Sequence, residues 1–154
     1  AKTVGCEIIL PKDVIAVTEL KENAEYKTVS SSDIPSDHMA IDIGEESIAY
    51  ISEKVKSSKT VVWNGPMGVF EIKPFDNGTN KIAEIVAEQT QAGDLVSIAG
   101  GGDTVAALEN ASAASQFSYI STAGGAFLEW LEGKELPGVA AILLDKSIPQ
   151  KRPA

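Results

Sequence analysis

Five consecutive residues, Gly100, Gly101, Gly102, Asp103 and Thr104, could do chemistry together. They follow the apolar run Leu95-Val96-Ser97-Ile98-Ala99 and precede Val105-Ala106-Ala107-Leu108, which can continue as a helix. A strand that becomes a helix through glycines leaves bare backbone N–H groups where an anion can sit. Asp103 adds a hard oxygen ligand of the kind Mg2+ takes. The stretch therefore reads as a phosphate cradle with a metal ligand. It reads equally as a tight turn in which Asp103 or Thr104 caps the helix, since both types are ordinary cap residues.

Positioning such residues takes a scaffold, and the chain order supplies one. Apolar runs at 7–11 and 14–17 read as short strands, and 26–29 as a short edge strand. The stretch 39–44 is followed by Ile48, Ile51 and Val55 at helical spacing over 45–56. The β-branched run 59–63 reads as a buried strand, and Ile82, Ile85 and Val86 mark one face of a helix reaching about Gln89, with Thr79 as its cap. A further strand over 117–121 precedes a helix carrying Phe127, Leu128 and Leu131 inward and Gly133 at its end. Leu136-Pro137-Gly138 reads as a turn, and 145–154 as a frayed, Pro-rich, basic tail. The alternation predicts a three-layer, Rossmann-like α/β domain with a mainly parallel sheet and helices on both faces.

In such sheets ligands bind outside the carboxyl ends of the strands. Three strand ends carry glycine: Trp63-Asn64-Gly65, Ala99 to Gly102, and Ser121 to Gly125. A parallel sheet places all three on one edge. One glycine turn says little, but three facing one crevice suit an extended anionic ligand.

Composition narrows the chemistry. The 154 residues carry 22 acids against 13 bases, a net charge of -9, which disfavours nucleic acid or an anionic membrane as partner. The single cysteine, Cys6, provides neither a disulfide nor metal-site spacing and reads as a buried structural thiol. The one histidine, His38, lies in a Ser/Asp/Pro loop without a triad partner. No apolar run is long enough to span a membrane and no signal-peptide pattern opens the chain, so the cytoplasm is the expected location. Neither a Walker-type P-loop nor a Gly-x-Gly-x-x-Gly fingerprint is present; counting from Gly100, the sixth position is Val105. Without a nucleophile elbow or a Cys/His pair, the inventory suits phosphoryl transfer, which needs positioning and charge neutralisation more than a nucleophilic side chain.

The segments 61–71, 100–104, 121–126 and 131–138 together closely resemble signatures of the phosphoglycerate kinase family. Residues 39–44 and 5–13 resemble it as well, and the matches run in family order over nearly the whole chain. The resemblance implies a two-domain, monomeric glycolytic kinase. It transfers a phosphoryl group between 1,3-bisphosphoglycerate and MgADP, giving 3-phosphoglycerate and MgATP. This chain corresponds, over 1–154, to the later part of the C-terminal, nucleotide-binding domain. The resemblance places Asn64, Pro66, Gly68 and Val69 beside the nucleotide and Glu71 on the ribose hydroxyls. It places Gly100, Gly101 and Gly102 along the phosphates, Asp103 on Mg2+, and Thr104 on the terminal phosphates. Gly124 and Gly125 present amides to the transferring phosphoryl group.

Each of these residues has a structural alternative: Asn64 and Pro66 shape a turn, Glu71 is a solvated acid, and Trp63 and Met67 pack the core. Two departures from the family pattern stand out. Ala123 replaces a glycine and keeps its N–H available only if its φ is negative. The basic cluster that binds phosphoglycerate, and the Gly-Ala-Lys segment of the nucleotide domain, have no counterpart in this chain. The chain alone is therefore expected to be inactive and to leave a sheet edge unpaired. A non-catalytic nucleotide-binding module, or a remnant without a ligand, are the alternatives.

Overall fold

The computed structural model describes residues 1–144. The frayed tail expected over 145–154 lies outside the described residues. Among the described residues six strands form two sheets. The first sheet is antiparallel, in the order β2-β1-β3, with β1 Asp13–Val17 between β2 Tyr26–Ser30 and β3 Met39–Ile43. The second is parallel, in the order β4-β5-β6, with β4 Thr60–Asn64, β5 Val96–Gly100 and β6 Tyr119–Ser121. The early strands thus stand apart from the parallel sheet. Residues 6–11 are not a strand: Ile8 and Leu10 are exposed, and the Glu7 carboxylate instead accepts from Lys54 Nζ (2.8 Å) and Tyr50 OH (3.1 Å).

The parallel strands carry the α/β unit. Helices α1 Glu45–Ser57, α2 Asn77–Gln91 and α3 Gly102–Asn110 pack on the face bearing Trp63 and Ala99. Ile48, Val55, Ile82 and Val86 close this core, as their spacing predicts, and Leu108 joins them. Helix α4 Gly124–Leu131 lies on the other face, where Phe127 reaches the Gly100 backbone. Toward the amino end of that second face Val62, Val96 and Tyr119 are exposed, and among the described residues β4 pairs only with β5. Leu131, expected inward, is exposed because α4 meets the sheet only through its first turns. Gly133 does end the helix with φ +80°, its N–H donating to the Trp130 carbonyl. The 136–138 turn instead opens a fifth helix, α5 Pro137–Leu144, in which proline occupies the first position, where no N–H is needed. Cys6 is exposed rather than buried, since its neighbours make no strand.

Two buried aspartates of the antiparallel sheet fasten it to the helices. Asp13 in β1 accepts from the N–H groups of Glu46 (3.2 Å) and Ser47 (2.8 Å) and from Ser47 Oγ (2.6 Å), all in the first turn of α1. Asp42 in β3 accepts from the Gly78 N–H (2.9 Å) in the first turn of α2 and from the Ile43 N–H (2.8 Å). Each carboxylate thus caps a helix N-terminus from a distant strand, and the local cap residues Gly44 and Asp76 make no side-chain cap bond. Thr79, expected to cap α2, lies inside the helix, fully buried. Replacing Asp13 by alanine strands these donors, so we expect a loss of about 2–3 kcal/mol of unfolding free energy in a urea titration.

The two carboxyls differ in protonation. At Asp13, burial pushes the pKa up, but the hydrogen bonds from Ser47 and the Glu46 N–H outweigh it and hold it below the usual range. At Asp42, burial dominates and pushes the pKa from 3.8 up to about 6, against the Gly78 and Ile43 N–H groups and with help from Asp76 and Glu45. The folded chain therefore binds this proton more tightly than the unfolded chain does. The stability contributed by Asp42 is full below its unfolded pKa and is lost as pH rises through about 6. Urea titrations between pH 5 and 7.5 should show this step in the wild-type chain and not in Asp42→Asn.

Candidate functional site

The three glycine-bearing strand ends do meet. Asn64, Gly100 and Ser121 are neighbours across the parallel sheet, so β4, β5 and β6 end side by side. Gly101 takes φ +101° and Gly65 φ +98°, values that favour glycine, which is why the chain can leave both strands so sharply. The Gly101 N–H donates to the Ser121 carbonyl (3.2 Å), tying the second turn to the third. The Gly65 N–H donates to Thr104 Oγ1 (2.7 Å), tying the first turn to α3. A Cβ at Gly124 would stand 2.6 Å from Gly101 Cα, 2.7 Å from its nitrogen and 3.3 Å from Asn64 Oδ1. Backbone touches backbone there, and glycine is required by contact rather than by φ.

This packing brings the N-termini of α3 and α4 together. Neither carries a side-chain cap bond, in contrast to α1 and α2 with their buried aspartates. Two open sets of N–H groups and the positive ends of two helix dipoles thus share one edge. Gly102, Asp103 and Gly125 are exposed there. Ala123 has φ -104°, so a side chain is tolerated, and its N–H donates to Ser121 Oγ (3.2 Å) within the turn.

Thr104 sits beneath the turn, 2% exposed, and its hydroxyl oxygen accepts from the Gly65 N–H, which leaves its own O–H free to donate. As it stands, it latches two turns together. The carboxylate of Asp103 is exposed in the first turn of α3. Among the described residues no group of three or more His, Cys, Asp or Glu could hold a metal by itself. A single carboxylate next to open amides fits Mg2+ of the kind that is held largely by phosphate oxygens.

Residues 64–71 form the adjoining loop. Its N–H groups are pinned at alternate positions: Gly65 to Thr104 Oγ1, Met67 to Thr79 Oγ1 (3.0 Å) and Val69 to the Ile41 carbonyl (2.8 Å). Trp63 is core, and its indole N–H donates to the Gly65 carbonyl (2.5 Å). Met67 packs against the same core, and Glu71 is exposed. Pro66, Gly68 and Val69 are partly exposed, and a mostly apolar cavity of about 360 Å³ opens between Ala40, Ile41, Met67, Gly68 and Val69, with Asp42 in its wall. Nothing in the sequence pattern announces that Ala40 and Ile41 line this cavity. Nor does it announce the pins Thr79 and Asp42, although Asp42 stands out as a lone acid within the apolar run 39–44.

Comparison with known proteins gives the family. The family model described as phosphoglycerate kinase matches residues 1–134. A phosphoglycerate kinase of Cereibacter sphaeroides is 59% identical over 142 residues, covering 92% of this chain and 36% of that protein. One from Zymomonas mobilis is 54% identical over the same shares. The solved structure of phosphoglycerate kinase from Coxiella burnetii superposes with a TM-score of 0.78 at 45% identity, over 86% of this chain and 33% of that one. That from Pyrococcus horikoshii gives 0.71 at 27% identity, over 86% and 32%. The chain thus spans about a third of the length of the curated relatives it matches. With two unlike relatives sharing its fold and a family model covering most of its length, the chain belongs to the phosphoglycerate kinase family.

Proposed function

We propose that this chain forms the nucleotide side of a kinase that moves a phosphoryl group between 1,3-bisphosphoglycerate and MgADP. The observation that carries the reading is the pair of uncapped helix N-termini, α3 and α4, held together at the sheet edge by Gly101 and Gly124. In the forward step the acyl-phosphate P–O bond breaks and a P–O bond forms to a terminal oxygen of ADP. The transferring group spreads negative charge over its oxygens, and preorganised donors lower the barrier by meeting that charge. The open Gly102 amide lies along the ADP phosphates, on the turn that Gly101 shapes with its own N–H on the Ser121 carbonyl, and the amides of Gly124 and Gly125 face the transferring group. Mg2+, when bound, neutralises phosphate charge, with Asp103 as its protein ligand.

The nucleoside lies along residues 64–71. The cavity beside Ile41 and Val69 is apolar enough for a purine ring, and Glu71 is free to accept from ribose hydroxyls. Asn64 and Pro66 shape the turn that joins the nucleoside and phosphate halves. None of residues 64–71, 100–104 or 121–125 is a lysine or arginine. The positive charge that would hold 3-phosphoglycerate, or complete the transition state, must come from elsewhere in the whole enzyme. The chain on its own is therefore expected to bind MgADP and not to phosphorylate it.

Thermal unfolding with and without nucleotide tests the binding. A ligand at a hundred times its Kd adds about 2.7 kcal/mol of stability, a clear rise in Tm. We expect MgADP to raise Tm and adenosine alone to do so less. An unchanged Tm at millimolar MgADP would leave a remnant without a ligand as the better reading.

A further inference from the structure

We propose that Asp42 is a positioning residue for the nucleoside half of the site, holding residues 64–71 in register from the antiparallel sheet. The proposal rests on the reading of that loop as the nucleoside side. Asp42 touches the loop at its middle and fixes the helix that follows it. A Cβ at Gly68 would collide with Asp42 Oδ1, so loop and carboxylate are in direct contact. Beyond the loop, the Gly78 N–H donates to Asp42 Oδ2, and a Cβ there would meet the same carboxylate. The residue after Gly78 is Thr79, whose hydroxyl receives the Met67 N–H. The residue before Asp42 is Ile41, whose carbonyl receives the Val69 N–H. Two of the three loop pins are thus one residue from a group that Asp42 sets. The third, Thr104, belongs to the phosphate half.

A glycine inside α2 and a buried carboxylate in a strand are each costly alone. Together they let β3, the loop and α2 meet without space for a side chain. A hydrophobic residue at 42 would fill the volume but accept no hydrogen bond. An asparagine would turn an NH2 group toward one of the two N–H donors. Glu45 and Asp76 are the acids that act on Asp42, while Lys73 and Tyr26 line the cavity on its far side.

This arrangement separates the two halves of the ligand. Loosening the loop should weaken binding of the nucleoside while α3 and α4 still hold phosphate. The test compares the wild-type chain with Asp42→Asn and with Asp13→Asn, which perturbs the cap of α1 and no part of the loop. Isothermal titration is made with MgADP and with magnesium pyrophosphate, which lacks a nucleoside. Asp42→Asn should weaken MgADP about tenfold, the loss of roughly one charge-assisted hydrogen bond. It should leave pyrophosphate unchanged, and Asp13→Asn should change neither. Hydrogen exchange on the same chains should show faster exchange at Met67, Val69 and Gly78 in Asp42→Asn, with protection of α3 retained. Equal weakening of both ligands, or equal weakening in the Asp13 variant, would reduce Asp42 to general stability and overturn the proposal. Unchanged loop exchange would overturn it as well. If the wild-type chain binds no MgADP, the nucleotide reading itself fails, and the exchange pattern alone decides whether Asp42 holds the loop.

Discussion

Gly124→Val is expected to abolish the rise in Tm produced by MgADP and to cost the chain several kcal/mol of its own stability. The cause is contact. A Cβ at 124 lies 2.6 Å from Gly101 Cα and 2.7 Å from its nitrogen, and neither backbone atom can rotate away as a side chain could. Overpacking of a tight region typically costs about 1–3 kcal/mol, and the two further methyl groups of valine add to it. Relief requires α4 to move off β5, which separates the two open N-termini. Loss of binding should therefore exceed what the loss of stability explains. Gly138→Ala is the control, because its Cβ meets nothing within 4 Å and it lies outside the site. Calorimetry of both variants, with and without MgADP, checks the result. A Gly124→Val chain that binds MgADP like the wild type would show that the α3–α4 contact does not shape the site.

Asp103→Ala should have the second large effect, and it should be selective. The side chain is exposed, so folding should be affected by less than about 0.5 kcal/mol, as for surface positions generally. The metal-dependent part of ADP binding should vanish, since the metal loses its one proposed protein ligand and several kcal/mol of charge neutralisation with it. Titrations of ADP with Mg2+ and with EDTA should differ in the wild-type chain and coincide in the variant. A variant in which Mg2+ still strengthens ADP binding would move the metal ligand elsewhere.

How far these residues were legible in the sequence depends on the range of the interaction that fixes them. The glycine turns were legible because a strand, a break and a helix are local events. The edge they share followed from parallel topology, and Asn64, Gly100 and Ser121 do line up across β4-β5-β6. The core positions Ile48, Val55, Ile82 and Val86 were legible from helical period alone. The antiparallel sheet was not, because an apolar run says nothing about its pairing direction.

The helix caps were misread for the same physical reason. Thr79 stands near the start of α2 and looks like a cap, but its hydroxyl serves the loop twelve residues earlier in the chain. The caps that act come from Asp13, 34 residues from Ser47, and Asp42, 36 residues from Gly78. No local pattern announces a cap at that distance. Thr104 likewise has a distant partner that its position does not announce: its hydroxyl oxygen accepts from the Gly65 N–H, 39 residues away. What remains open for a ligand is then mostly backbone, and glycines in the sequence indicate backbone better than any side chain does.

The proposed function requires the open amides at α3 and α4 to receive nucleotide phosphates. Nitrogen-15 amide spectra of the chain, recorded during a titration with MgADP, test it most directly. Saturable shifts are expected, concentrated at Gly101, Gly102, Gly124 and Gly125 and extending through residues 64–71, with little change in the antiparallel sheet outside Val14 and residues 40–43, which line the nucleoside cavity. Shifts confined to the cavity between Ile15, Tyr26 and Asp76, or none at the four glycines under saturating MgADP, would contradict it.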